Sequence, residues 1–117
     1  MAEYQTLKLN SDFRRTYGRG KSVAASALVT YALRTKNNSV RVGITTGKKL
    51  GSAVERNRCR RIIRAAYREM ADKCTGSWDI VFVARHRTVA LKSTDIQTVM
   101  RAQLEALGVI KLFSEEK

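Results

Sequence analysis

Proline is absent from this 117-residue chain, histidine occurs once, cysteine twice, and acidic residues number 10 against 23 lysines and arginines. Each shortage excludes something. No proline-rich linker, repeat or low-complexity block divides the chain, so residues 1–117 read as a single domain. Cys59 and Cys74 are too few for a disulfide scaffold or a zinc site. On one continuous helix they would lie about 22 Å apart, beyond disulfide reach, and both are expected to be reduced. No apolar run approaches the roughly 20 residues of a membrane span. The start, Met1-Ala2-Glu3-Tyr4-Gln5-Thr6, has neither a basic nor an apolar export region, so the expectation is a cytoplasmic protein with no membrane partner. Asn37-Asn38-Ser39, a glycosylation acceptor in form, is then idle. Catalytic material is equally scarce: His86 sits between Arg85 and Arg87 as a surface residue would, and Asp72, Asp79 and Asp95 are isolated. Neither a Ser/His/Asp set nor metal-ligand spacing occurs, so no catalytic residue, metal site or bound cofactor is expected of the chain itself.

What is abundant is positive charge. The formal charge is +13 and the pI about 10.5, which makes a polyanion the leading partner, with RNA, DNA and an anionic membrane in competition. At 44% hydrophobic residues the chain is globular.

Hydrophobic periodicity orders the elements. Asn10-Ser11-Asp12 offers N-cap chemistry for a short helix through Phe13, Thr16 and Tyr17 that Gly18-Arg19-Gly20 stops. Val23 to Thr35 contains the apolar, partly β-branched run Ala27–Leu33. After the polar cluster Lys36–Ser39 comes Val40–Thr45, with Val40, Val42 and Ile44 on one face. Two strands joined by a turn predict an antiparallel hairpin. Ser52-Ala53-Val54-Glu55 is a capping box opening a long helix whose buried stripe is Cys59, Ile62, Ile63, Ala66, Tyr67 and Met70, with Gly76 as its stop. Trp78–Ala84 reads as a buried strand. Thr94 and Gln97 form a second candidate capping box before the stripe Ile96, Val99, Met100, Gln103, Leu104 and Leu107, which Gly108 ends. The fold class is therefore α+β, in the order α-β-β-α-β-α with room for one more short strand, around a mixed or antiparallel sheet.

Six arginines fall between Arg56 and Arg68. At about 100° per residue from Cys59, the apolar stripe runs from roughly 300° through 0° to 80°. On the same scale Arg60, Asn57, Arg64, Arg68, Arg61 and Arg58 occupy roughly 100° to 260°, with Arg56 at the border. Like charges at helical neighbours repel by tenths of a kcal/mol per pair, so folding alone gains nothing from this face. A polyphosphate would turn the repulsion into attraction and release counterions, and arginine's planar fork suits bidentate phosphate contacts. Gly43-x-x-x-Gly47-Lys48-Lys49 ahead of the helix is one residue short of a P-loop, and Lys49 stands where Ser or Thr should bind magnesium, so nucleotide hydrolysis is not expected. The two lysines and the helix N-terminus can still hold a phosphate. Phe13, Tyr17 and Tyr31, beside Arg14, Arg15, Arg19 and Lys21, are either core or a stacking surface for single-stranded nucleic acid.

The run from Val42 to Arg64, centred on Arg56-Asn57-Arg58, closely resembles the signature of the bacterial ribonuclease P protein component. Asp12-Phe13, Ser22-Val23-Ala24 and the strand ending Val83-Ala84-Arg85 agree with it as well. The resemblance implies a small α-β sandwich with a left-handed β-α-β crossover. It further implies binding to a large catalytic RNA that, with magnesium, removes the 5′ leader from precursor tRNA. The arginine helix would lie on that RNA, which carries over to Arg56, Asn57, Arg58, Arg60, Arg61 and Arg64, with Lys48 and Lys49 preceding it and Arg68 added from its helical position. The leader would lie in a cleft at Phe13, Tyr17 and Tyr31. One protein per RNA is the expected assembly. Composition alone leaves a ribosomal or other structural RNA-binding protein as the alternative. The helix geometry predicts that Arg60→Ala or Arg64→Ala flattens the salt dependence of RNA binding by about 0.7 to 0.9 log units per phosphate no longer neutralised, without unfolding the domain. Ile63→Ala should instead cost about 2 to 5 kcal/mol in denaturant melts. Exchange of the two outcomes would mean the helix is turned the other way.

Overall fold

The structure, a computed structural model, describes residues 4–111. Its elements in chain order are β1 (Gln5–Thr6), α1 (Asn10–Arg19), β2 (Lys21–Ala24), β3 (Leu28–Arg34), β4 (Val40–Thr45), α2 (Ala53–Arg68), β5 (Trp78–Ala84) and α3 (Ser93–Ala106). The strands form one mixed sheet in the order β1-β4-β5-β3-β2. β4 runs parallel to β1 and β5, while β3 is antiparallel to β5 and β2. The α+β order read from periodicity holds, extended by β1 and by the division of Val23–Thr35 into β2 and the longer β3. No helix among the described residues is long and apolar enough to cross a membrane.

The expected β3-β4 hairpin does not form. β5 enters between the two strands: Thr35 N–H donates to Ser77 O at 3.0 Å and Trp78 N–H to Ser39 O at 3.1 Å, so the loop that would have been a tight turn is held open by the start of β5. β5 is the most apolar strand, and the centre of the sheet is the one place where both its faces and both its edges are covered. The true hairpin is β2-β3, where Lys21 to Ala24 pair with Ala32 to Val29.

Alternation divides the sheet between the helices. On one face Leu28, Ala32, Val42, Ile80 and Phe82 pack with Cys59, Ile63, Ala66 and Tyr67 of α2 and Ile96, Met100 and Leu104 of α3. α1 lies on the other face, against β3 and β5. The stripes predicted for α2 and α3 face the core, fully buried except for Ile62, Val99 and Leu107, which are partly buried against it, and they include Cys59, whose thiol pKa burial raises.

Four local expectations are corrected. At α1 the N-cap position is Leu9, with no side-chain cap. Asp12 is instead buried and bound to Arg15 and Arg41, a tertiary partner outcompeting the local amide. At α3 the residue reaching back to the N-cap is Asp95, which accepts from Lys92 N–H at 3.0 Å, so the helix opens two residues earlier than a Thr94–Gln97 box would place it. α2 ends at Arg68, not near Gly76, and a 3-10 turn over Ala71–Lys73 follows. Cys74 therefore lies off the helix; both cysteines are free, and Cys74 Sγ meets the Tyr67 hydroxyl at 3.4 Å. The Ser52–Glu55 capping box forms in both directions, at 3.2 and 3.0 Å, and Gly108, at φ 84°, follows α3 where a glycine stop was expected.

Gln103 interrupts the apolar stripe of α3 for a reason that only packing reveals. Its Oε1 accepts from Thr30 Oγ1 at 2.6 Å, and its Nε2 donates to Leu28 O at 2.8 Å and Val23 O at 3.2 Å, tying α3 to the β2-β3 hairpin. Gln103→Leu should lower stability by about 1 to 3 kcal/mol, because the buried Thr30 hydroxyl loses its partner, Val23 O loses its side-chain donor and Leu28 O keeps only the Ala25 N–H. Urea denaturation checks this, and a change below about 0.5 kcal/mol would show that these bonds carry no net stability.

Candidate nucleic-acid interface

The three predicted aromatics come together. Phe13 and Tyr17 sit one turn apart on α1 with centroids 6.5 Å apart, and Tyr17 meets Tyr31 of β3 edge-on at 4.9 Å. The Tyr17 hydroxyl shares a 2.6 Å hydrogen bond with Thr45 Oγ1. Tyr17 remains 36% exposed, so it presents ring surface to solvent instead of closing a core.

Two features seat α1. A Cβ on Gly43 would stand 2.5 Å from the Phe13 ring, so glycine in mid-strand is what lets Phe13 lie against β4. Beneath the helix, the Arg41 guanidinium grips Asp79 through two bonds of 2.8 and 2.7 Å and reaches Asp12 at 3.4 Å. The Asp79 hydrogen bond, opposed by burial, holds the Arg41 pKa above its ordinary value.

A groove runs from these aromatics to α2. One hollow of about 430 Å³ is lined by Asn10, Phe13, Arg14, Tyr17, Ile44 and Thr45. A second, of about 200 Å³, shares Phe13 and Ile44 and continues past Tyr4 and Tyr67 to Arg60 and Arg64. The passage exists because β1 pairs with β4 only at Arg41 and Val42, with one more bond from Leu7 N–H, leaving the outer edge from Gly43 to Thr45 without a strand. Burial raises the Tyr67 phenol pKa, so it is neutral where it lines the groove.

The arginine helix divides into three groups. Arg60 and Arg64 border the groove. Arg61 and Arg68 are exposed on the outer face, as are Asn57 and, on the 3-10 turn Lys48–Leu50 before the helix, Lys48 and Lys49. Asn57 Oδ1 accepts from Arg60 Nη1 at 2.9 Å, and Arg56 is half-buried. None of these cations is in an ion pair among the described residues. Arg58 is a correction: it does not face solvent with the others. Its guanidinium donates to Val89 O and, at 3.0 Å, to Leu91 O, clamping the 3-10 turn His86–Ala90 and the residue after it onto α2. At roughly 260° it lies on the flank where this turn packs, which helical angle alone does not reveal.

Sequence reasoning missed Ile44 and Thr45 as groove residues, since their role depends on how far β1 extends. It also missed Arg85 and Arg87. Parallel pairing places the ends of β4 and β5 together, so Arg85 and Arg87, both exposed, leave the sheet at the same end as Lys48 and Lys49. The division of α2 predicts that Arg58→Ala loses about 1 to 3 kcal/mol of stability, whereas Arg61→Ala stays within about 0.5 kcal/mol of the parent. Urea melts decide it, and equal losses would refute the inward role of Arg58.

Comparison with known proteins gives the interface its family. Residues 1–108 match the family model described as Ribonuclease P. The ribonuclease P protein component of Clostridioides difficile (strain 630) is 50% identical over 80 residues, covering 68% of this chain and 70% of that protein. The protein of the same name from Clostridium novyi (strain NT) is 40% identical over 111 residues, covering 93% and 98%. The solved RNase P protein of Staphylococcus aureus has a TM-score of 0.82 at 32% identity, covering 93% of this chain and 100% of that one. With its signature helix, mixed sheet and nearly full-length similarity, the chain belongs to the family of ribonuclease P protein components.

Proposed function

We propose that this chain, as the protein component of ribonuclease P, lays the outer arginine face of α2 on the catalytic RNA and takes the single-stranded 5′ leader of precursor tRNA into the groove. Family membership makes the chain part of an endoribonuclease complex of tRNA processing with the ribonuclease P RNA as its partner. It also disfavours a ribosomal or other structural role. The observation that carries the leader assignment is the continuity of the groove: exposed aromatic surface at Tyr17 leads past Phe13 and Ile44 to Arg60 and Arg64, so stacking and phosphate contact lie on one path. A duplex would bury its base faces and gain nothing from Tyr17. Lys48, Lys49, Arg85 and Arg87 extend positive charge along the end of the sheet beside this path.

The chemical step belongs to the RNA and its magnesium in this reading. The two buried carboxylates of the described residues, Asp12 and Asp79, are both engaged by Arg41, and Asp12 by Arg15 as well, so they hold the fold together and are not free to act on a phosphodiester. The protein contributes charge: a +13 chain between two polyanions offsets their repulsion and lowers the magnesium the assembly needs. One chain per RNA and a cytoplasmic setting complete the proposal.

The test is cleavage of a precursor tRNA by a bacterial ribonuclease P RNA at low magnesium, with and without the protein. The protein should restore 5′ cleavage, and the holoenzyme should bind precursor more tightly than mature tRNA. Equal affinities for the two would remove the leader role, and unchanged cleavage would remove the helper role.

A further inference from the structure

A second concavity lies at the other end of the sheet. Antiparallel pairing sets Arg34 beside Trp78 and Lys21 beside Ala32, and α1 ends at Arg19 just before β2 begins. Arg19, Lys21, Leu33, Arg34, Trp78 and Leu107 line a hollow of about 370 Å³, near the lower end of the roughly 300 to 1,000 Å³ of ligand sites. Neither Phe13, Tyr17 nor any arginine of α2 reaches it.

Its chemistry is that of an anion site with an apolar wall. Arg19, Lys21 and Arg34 are exposed, and none is ion-paired among the described residues. The Arg34 guanidinium lies over the Trp78 ring, 5.0 Å from its centroid, a cation–π contact that orients the planar fork. The ring itself is fixed by its indole N–H, which donates to Thr75 O at 2.8 Å. Leu33 and Leu107 are half-buried and leave apolar surface in the same hollow. Three like charges around one concavity oppose folding slightly, and a phosphate among them reverses the sign of that interaction.

We propose that this hollow binds an unstacked nucleotide of single-stranded RNA, its phosphate held by Arg19, Lys21 and Arg34 and its base or ribose against Leu33 and Leu107. The inference goes beyond the groove, since it adds an RNA contact at the opposite end of the sheet. A distal leader nucleotide and an unpaired strand of the catalytic RNA share this chemistry, and the experiment separates them.

Trp78 is the only tryptophan, so its fluorescence reports on this hollow. Titration of the full chain with a short 5′-phosphorylated oligouridylate should produce a saturable change in emission. Arg19→Gln with Lys21→Gln, which leave the Arg34–Trp78 contact intact, should weaken binding and reduce the salt slope by about 0.7 for each phosphate left without its cation. Arg60→Gln, in the groove, should leave the Trp78 response in place. A flat titration, a response indifferent to the Arg19 and Lys21 changes, or one abolished by Arg60→Gln each overturns the proposal. In the holoenzyme, weaker assembly of the double variant with the catalytic RNA assigns the strand to that RNA, and weaker binding of long-leader precursors alone assigns it to the leader. No effect on either overturns the site. Loss of precursor discrimination in the parent would concern the groove and leave the Trp78 titration standing.

Discussion

The Arg41 guanidinium is the joint on which the architecture depends. It leaves β4, pairs with Asp79 at the centre of the sheet, and reaches Asp12 on the helix above. Asp79 is fully buried, and a buried carboxylate without its partner is strongly unfavourable, typically by about 3 to 5 kcal/mol when one member of the pair is removed. The pair therefore does more than attract: it allows only the register in which Arg41 stands opposite Asp79, the register seen between β4 and β5. Because Asp12 is drawn into the same network, the first turn of α1 is held against the sheet, and the position of Phe13 over Gly43 follows from it.

The groove is a consequence of this frame and of an unfinished edge. β1 stops at Thr6, so the last three residues of β4 have no outer strand, and the space is bordered by α1 on one side and α2 on the other. Unpaired strand edges usually risk association with other chains. Here Tyr17 caps Thr45 through its hydroxyl, and basic side chains stand at the same end of the sheet. The same edge is thus left uncovered by strand, while the like charges beside it oppose edge-to-edge pairing with a second copy.

Within α2, one run of basic residues performs three kinds of work according to angle around the axis. The flank beside Tyr67 turns Arg60 and Arg64 into the groove, the outer face carries Arg61 and Arg68, and the opposite flank turns Arg58 onto the carbonyls of Val89 and Leu91. The last arginine of the Arg-Asn-Arg element is therefore partly structural. Arg58 fastens the turn after β5, Thr88 of that turn bonds Ala27 O at 2.6 Å, and the β2-β3 hairpin is secured from below.

The helices, the central strand, the buried stripes and the basic character of the interface are legible along the chain, because each is written in local periodicity, capping residues and charge. Ser52 and Glu55 are neighbours across one helical turn and need nothing else to cap α2. Strand order is set in three dimensions: β3 and β4 follow one another in sequence, yet β5, which comes only after the whole of α2, separates them because its apolar faces require the centre. The use of Asp12 as an ion-pair partner instead of a cap, the inward turn of Arg58 and the joining of Phe13, Ile44 and Arg60 along one groove arise at the same level. All three rest on contacts between residues distant in the chain, and such contacts leave no periodic trace in the local sequence.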